Sequence, residues 1–330
     1  MKILIRLPNW LGDVVMSSAF VASVKELYPA STIDAIIKKE LSSIAPLIPG
    51  LRTIYSFSKH EFKGLKGAYS FGRKLRNENY DLFFSLPSSL SAKVMAWATG
   101  AKKRIGFSEQ GNFFLLTNVY KKPSDVHRVD EYISLLKQFN GKQISPKQVK
   151  LTVSQPVQPD YKRALINFNS EAVSRRMPID KAVAILNLLT NTFKDITFTL
   201  IGSPKEKAFI DEVIAKAKDG ALLVNYAGKT DIAGLAVLMA ASAAIITTDS
   251  GPAHLANSVG TPTIVLFGAG NEHNTAPYNP QNLTILRAGK LNCEPCAKNT
   301  CQLYGIPKCM QLIDELHTIQ ALQQYLSNYR

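Results

Sequence analysis

The sequence predicts an α/β protein made of two doubly wound domains that face each other across a cleft. Three observations carry this expectation. Apolar, β-rich runs alternate with helical patterns along the chain, as parallel sheets covered by helices on both faces require. The runs form two sets separated by residues 152–160, a stretch with two prolines, four uncharged polar residues and no helical pattern. A length of 330 residues suits two domains better than one.

In chain order, the first set of strands is expected at residues 3–7, 32–37, 53–57 and 82–86, and the second at 165–168, 196–201, 223–226, 245–248 and 263–267. The domain boundary is placed between residues 155 and 156. Residues 232–248 carry no charge but fall short of the roughly 20 residues of a membrane span; they read as a buried helix over 232–241 followed by a buried strand over 244–248. A last helix is expected over 313–327 and could pack on either domain. At the start of the chain the apolar run is short and Asp13 interrupts it, which excludes a signal peptide and predicts a cytoplasmic protein.

The formal charge of +14 is uneven. Residues 1–150 hold 23 Lys and Arg against 11 Asp and Glu, net +12, leaving 16 against 14 in residues 151–330, net +2. Much of the excess is clustered in Lys59, Lys63, Lys66, Arg73, Lys74 and Arg76, and in Lys102, Lys103 and Arg104. A solvated face, a nucleic-acid surface and a surface for anionic lipid or phosphorylated glycans are the competing readings. No nucleic-acid fold signature accompanies the charge, so no nucleic-acid partner is expected.

Two strand ends carry candidate chemistry. The first strand opens into Pro8-Asn9-Trp10-Leu11-Gly12-Asp13, followed by a helix with Val14, Val15, Ala19, Phe20, Val24 and Leu27 on its apolar positions. Asp13 there is either the cap of that helix, worth about 1 kcal/mol, or a general base that takes a proton from an attacking hydroxyl. From the residues alone the cap is the commoner case. The second is Ile245-Ile246-Thr247-Thr248-Asp249-Ser250-Gly251-Pro252-Ala253-His254: a buried strand, a polar turn and a helix start. The first N–H groups of such a helix favour an anion, most often a phosphate.

Taken together, these segments resemble glycosyltransferase family 9, the ADP-heptose:lipopolysaccharide heptosyltransferases, and are most similar to their heptosyltransferase II branch. The matching segments are Leu7-Pro8-Asn9-Trp10-Leu11-Gly12-Asp13, Leu86-Pro87-Ser88-Ser89-Leu90-Ser91-Ala92 with Arg104-Ile105-Gly106-Phe107, His127-Arg128-Val129-Asp130-Glu131-Tyr132, and Asp249-Ser250-Gly251-Pro252-Ala253-His254. The resemblance implies the GT-B architecture of two Rossmann-like domains, with the acceptor on residues 1–155 and the nucleotide-sugar on 156–330. It makes Asp13 the candidate base and Asp249, Ser250, Gly251 and His254 the contacts of the ADP moiety. Glu206 aligns with a family glutamate that holds the ribose, although a first-turn acid stabilised by the helix dipole is the alternative. Arg175 stands where the family usually has a lysine near the donor phosphates, with Arg176 as the other candidate. Ser170 stands near the small hydroxyl residues used at the phosphates, but Asn167-Phe168-Asn169 replaces the usual Pro-Gly pair.

The reaction this implies is an inverting, metal-independent transfer of heptose from ADP-heptose to a Kdo- or heptose-bearing lipid A core, with no cofactor required. The partners implied are an ADP-sugar donor, an acidic glycolipid acceptor and the inner face of the inner membrane, where the protein would be peripheral and monomeric. Transfer from another nucleotide-sugar, a nucleotide-sugar epimerase of the same architecture, and a noncatalytic binding relative are the rival readings. All four cysteines, Cys293, Cys296, Cys301 and Cys309, fall within one short segment spaced C-x2-C-x4-C-x7-C. A structural zinc site with four thiolate ligands, a pair of disulfides and free thiols all fit that spacing. None of the four has a base beside it in sequence, so no catalytic role is expected of them.

Overall fold

A computed structural model describes residues 1–108, 113–145, 147–153 and 157–327. The chain divides into two compact units, Met1–Thr152 and Val153–Arg330. Of the expected linker, Ser154, Gln155 and Pro156 lie outside the described residues, as does the boundary expected within it.

The first unit runs β1 (Lys2–Arg6), α1 (Leu11–Met16), α2 (Ser18–Leu27), β2 (Thr32–Lys38), β3 (Leu51–Phe57), α3 (Gly64–Lys74), β4 (Leu82–Ser85), α4 (Leu90–Thr99), β5 (Lys103–Ser108), β6 (Asn118–Lys121) and α5 (Arg128–Asn140). Its six strands are parallel in the order β3-β2-β1-β4-β5-β6. Strands covered on both faces become continuous apolar runs, and Ile3, Leu4 and Ile5 have no exposed surface. Charged side chains also lie inside this unit: Arg6 is 4%, Asp34 0% and Lys93 2% exposed. Asp34, on β2, is held by Arg52 through bonds of 2.9 and 2.6 Å, by the Tyr80 hydroxyl at 2.7 Å and by the Thr53 N–H at 3.1 Å. These donors satisfy the buried carboxylate and keep its pKa low despite burial.

The second unit runs β7 (Asp160–Asn167), α6 (Ile179–Thr192), β8 (Thr197–Leu200), α7 (Lys207–Lys216), β9 (Leu223–Asn225), α8 (Ile232–Ala241), β10 (Ser242–Thr248), α9 (Gly251–Ser258), β11 (Thr263–Phe267), α10 (Glu272–Thr275), β12 (Leu283–Arg287), α11 (Lys308–Gln311) and α12 (Glu315–Leu326). Its sheet is again parallel, ordered β12-β11-β10-β7-β8-β9. The final helix packs on this unit: Leu322 joins the core formed with Leu186, Ile246 and Leu266, and Lys181 on α6 pairs with Glu315 at 2.5 Å.

Three strands, β5, β6 and β12, were not among those expected. β6 and β12 are edges, and β5 begins with Lys103 and Arg104, so none shows the apolar run of an inner strand. The helix expected over 232–241 is α8, but only Ala236 and Met239 on it are buried. It lies on the outside of the sheet with its remaining apolar residues half-covered, so lack of charge overstated its burial. Among the described residues no helix is long and apolar enough to cross a membrane.

Each sheet has one place where the strand order reverses, between β1 and β4 in the first and between β7 and β10 in the second. In open α/β sheets the crevice beyond the carboxyl ends of two such strands is where ligands bind. Asp13 follows β1; Arg175 follows β7 and Asp249 follows β10.

Candidate functional site

In the second unit the reversal point gathers most of the candidate residues. Asp249 directly follows β10 and is nearly inaccessible, at 3% exposure. Arg175, in the short helical turn Val173–Arg175 beyond β7, brings Nη1 to 3.2 Å from Asp249 Oδ2. Burial pushes the Asp249 pKa up to about 6; Arg175 and Arg287 pull it back, and Glu272 adds to the rise. Neither Asp249 Oδ2 nor the Nε atoms of Arg175 and Arg176 has a hydrogen-bond partner. The pair is therefore an ion pair with unused hydrogen-bonding capacity.

Hydrogen bonds fix the surrounding loops. Asn167 Nδ2 donates to Thr247 Oγ1 at 3.0 Å and to Ser250 Oγ at 2.9 Å, joining the ends of β7 and β10. Thr248 Oγ1 donates to the Asn169 carbonyl at 2.6 Å, and Asn169 Nδ2 donates to the Ile201 carbonyl at 3.1 Å, extending the link to β8. The asparagines that replace the family's Pro-Gly pair thus tie three strand ends together. Ser170 is buried, and its carbonyl accepts from Arg176 Nη2 at 3.0 Å. Arg176 is committed to that loop, and Arg175 is the arginine beside Asp249.

Ser250 stands at the N-cap position of α9 without a side-chain cap bond, its hydroxyl donating instead to the Thr248 carbonyl at 3.2 Å, and Gly251 begins the helix. Pro252 has no N–H, and the Ala253 N–H closes on the Ser250 carbonyl at 3.1 Å, so of the first three helical positions the anion expectation rests on Gly251. His254 lies in the same first turn and is buried. Glu206 accepts from the Ser203 N–H at 2.7 Å in a reciprocal capping box. It nonetheless lies beside the cluster, since a Cβ placed on Gly202 would sit 3.2 Å from Glu206 Cβ and 2.9 Å from Asn169 Nδ2.

Two residues that sequence reasoning did not find complete this site. A Cβ on Gly270 would lie 1.9 Å from Asp249 Oδ2, so only glycine lets this backbone pass the carboxylate. Arg287, at the end of β12, donates to the carbonyls of Gly268 and Gly270 and to both oxygens of Glu272, holding that loop in place. The close approach that requires Gly270 has no local sequence signal. Arg287 is a lone cation in a strand that the sequence reading did not detect.

In the first unit, Asp13 does not cap its helix. Trp10 is the N-cap residue of α1, with no side-chain cap bond, and Asp13 lies in the first turn. Its carboxylate faces α5: Arg128 Nε stands 3.4 Å from Asp13 Oδ1, and the Tyr132 hydroxyl is hydrogen-bonded to it. Arg128 is held in turn by Glu131 at 2.5 Å, and Lys122 lies 3.4 Å from Glu131. Burial raises the Asp13 pKa above the ordinary aspartate value, Arg128 opposes the rise, and Glu131 adds to it. A half-buried carboxylate with a raised pKa has the environment of a general base. The segment His127–Tyr132 matched the family motif, but its contact with Asp13 spans more than a hundred residues of sequence and could not be read from it.

Of the three arrangements that the cysteine spacing allows, the described residues show neither the four-thiolate cluster nor a disulfide. All four are free thiols, with Cys309 buried and the others partly exposed. Among the described residues no three His, Cys, Asp or Glu side chains converge as a metal site. Cys309 instead packs beneath Gly268, and burial pushes its thiol pKa up to about 11.

The family model for glycosyltransferase family 9 (heptosyltransferase) matches residues 68–306. The lipopolysaccharide core heptosyltransferase OpsX of Haemophilus influenzae is 26% identical over 284 residues, covering 82% of this chain and 79% of that protein. Lipooligosaccharide heptosyltransferase 2 of Campylobacter jejuni is 26% identical over 346 residues, covering 99% of both. Among solved structures, E. coli ADP-heptose lipopolysaccharide heptosyltransferase II superposes with a TM-score of 0.83 at 21% identity, over 100% of this chain and 99% of that one. That likeness establishes the GT-B architecture. A family match over this much of the chain assigns it plainly: the chain belongs to glycosyltransferase family 9 and is a glycosyltransferase.

Proposed function

We propose that the protein transfers heptose from ADP-heptose to the inner core of lipopolysaccharide, at the cytoplasmic face of the inner membrane, with inversion and without a metal. The observation that carries this reading is the Arg175–Asp249 pair at the reversal point of the second sheet, beside the Gly251 end of α9. A guanidinium held by a buried carboxylate and next to a helix N-terminus suits a diphosphate. The names of the relatives support heptose as the sugar and a lipopolysaccharide core as the acceptor.

In a single displacement, the acceptor oxygen forms a bond to the anomeric carbon as the bond from that carbon to the ADP oxygen breaks. Asp13 accepts the hydroxyl proton, and Arg175 with the Gly251 end of α9 offsets the charge growing on the departing diphosphate. Asp249 orients Arg175, and Glu206 receives the ribose on the oxygen that the capping box leaves over. With this positive charge supplied by protein, chelators are expected to leave turnover unchanged.

The test is turnover of ADP-heptose with a panel of truncated lipopolysaccharide cores, followed by anomeric analysis of the product. Acceptor-dependent ADP release with inverted stereochemistry is expected. Absence of heptosyl transfer to every core, or preferential turnover of a UDP-sugar, would overturn the reading.

A further inference from the structure

Away from Asp13, the first unit presents a face that joins exposed aromatic rings to an excess of positive charge. Helix α3 buries Gly67, Ala68, Phe71 and Gly72 and turns Leu65, Lys66, Tyr69, Arg73 and Lys74 to solvent. Its packing on α4 is close enough that a Cβ on Gly72 would lie 2.5 Å from the Met95 carbonyl. That approach brings the exposed Tyr69 and Trp97 rings together, with centroids 5.6 Å apart. Leu65 is 46%, Tyr69 38% and Trp97 49% exposed, which is unusual for large apolar groups placed side by side.

The charge around this apolar ridge has one sign. Lys63, Lys66, Arg73, Lys74 and Arg76 are all exposed, and residues 62–77 contain no Asp or Glu. The acids that flank this segment are already engaged, Glu61 with Lys39 and Glu78 with Lys2. None of the five cations makes an ion pair among the described residues, although Lys74 lies over the Phe62 ring at 4.7 Å and feels the more distant Glu61 carboxylate. The two helices also begin at the carboxyl edge of the sheet, following β3 and β4, and α1 with Asp13 leaves β1 at that same edge.

We infer that the α3–α4 face docks on an anionic lipid bilayer, with Tyr69, Trp97 and Leu65 at headgroup depth and the five cations over the lipid phosphates. Aromatic rings with a polar atom settle at the boundary between headgroups and acyl chains. Lys and Arg extend past them toward the headgroups, and each adds electrostatic attraction to an anionic surface. A soluble phosphate would use the cations and leave the rings without a role; a bilayer uses both. The docking rests on the proposed membrane location and names the surface that would serve it; it is tested without donor or acceptor, so its failure would leave heptosyl transfer itself standing.

The experiment is flotation of the full chain with vesicles of phosphatidylglycerol and phosphatidylethanolamine, compared with vesicles of phosphatidylcholine alone. Binding to the anionic vesicles only, weakened by added salt, is expected. The exposed charge reversals Lys66→Glu and Arg73→Glu together should lower the bound fraction at least about tenfold, and Tyr69→Ser with Trp97→Ser should also abolish most of it. In Trp10→Phe, where Trp97 is the one remaining tryptophan, emission should shift to the blue on vesicle addition and be quenched by brominated phosphatidylglycerol. Equal binding to phosphatidylcholine, no binding at all, full binding by the charge-reversed protein, or unmoved Trp97 emission would each overturn the inference. Should the aromatic pair variant fail to fold, the charge reversals and the Trp97 signal still decide.

Discussion

Asp13 and Asp249 are both carboxylates with a raised pKa beside an arginine, yet their environments set different tasks. Asp13 must be ionised to accept a proton, so transfer should fail on the acid side at a pH above the ordinary aspartate range. Arg128→Ala removes the charge that opposes this shift and should move the acid limb of kcat to higher pH; an unmoved limb would dissociate Arg128 from Asp13. Asp13→Asn should keep ADP affinity while lowering kcat by about 10²–10⁴-fold, measured as acceptor-dependent ADP release. Asp249 lies in the low-dielectric interior, and on the proposed function its carboxylate would compete with the donor diphosphate for Arg175. Its folded pKa, about 6, exceeds the unfolded value of 3.8, so its ionisation costs stability as pH rises between those values. A diphosphate bound at Arg175 would push that pKa higher still. ADP binding by the native protein should therefore strengthen, relative to Asp249→Asn, as pH falls through about 6. Taking the ratio of the two proteins cancels the ionisation of ADP itself, and calorimetry showing a ratio flat from acid to neutral pH would refute the competition. At this scale the positions of Asp13 and Asp249 were legible because each sits beside a strand end with a recognisable motif. Arg128, Tyr132 and Arg287 were not, because what they touch is distant in sequence.

Strands and helices place these residues by ending where they do. The inner strands were readable as apolar runs, since a parallel strand covered on both faces leaves no polar positions. β6 and β12 escaped detection because an edge tolerates polar residues, and β12 carries Arg287. The loop from Gly268 to Glu272 shows what such an omission hides: it is pinned from below by Arg287 and passes so close to Asp249 that any side chain at Gly270 collides with the carboxylate. Because the obstruction is a buried acid and not a flexible chain end, Gly270→Ala has to displace either the loop or Asp249. Overpacking of this kind costs about 1–3 kcal/mol, read as a lower Tm. If Asp249 is the group that moves, Arg175 moves with it, and ADP affinity should fall at least about tenfold, equivalent to roughly 1.4 kcal/mol. Gly270→Ala with native stability and native ADP affinity would mean that the loop adjusts freely and that Arg287 does not hold it.

Across the whole molecule, the two units repeat one plan: a six-stranded parallel sheet with a single reversal of strand order and functional candidates at the reversal. This much was legible, since alternating strands and helices with a break near residue 152 allow few other architectures. The division of charge was legible too, and an anionic-lipid surface was one of its readings, but the choice among those readings was not: net +12 in residues 1–150 is a number until α3 and α4 bring part of it beside Tyr69 and Trp97. If donor recognition belongs to the second unit, ADP alone should leave an asymmetric trace in hydrogen exchange. Ligand bound only to the native state raises the opening free energy of the structure it contacts, by about 2.7 kcal/mol at a hundredfold excess over Kd. Protection should rise at residues 167–177, 201–207 and 248–256, the three loops linked through Asn167, Asn169 and Thr248. Residues 8–16 around Asp13 should exchange as before until an acceptor is added. Equal protection of the Asp13 loop by ADP alone would assign that carboxylate to the donor, and the proton acceptor would then have to be sought elsewhere.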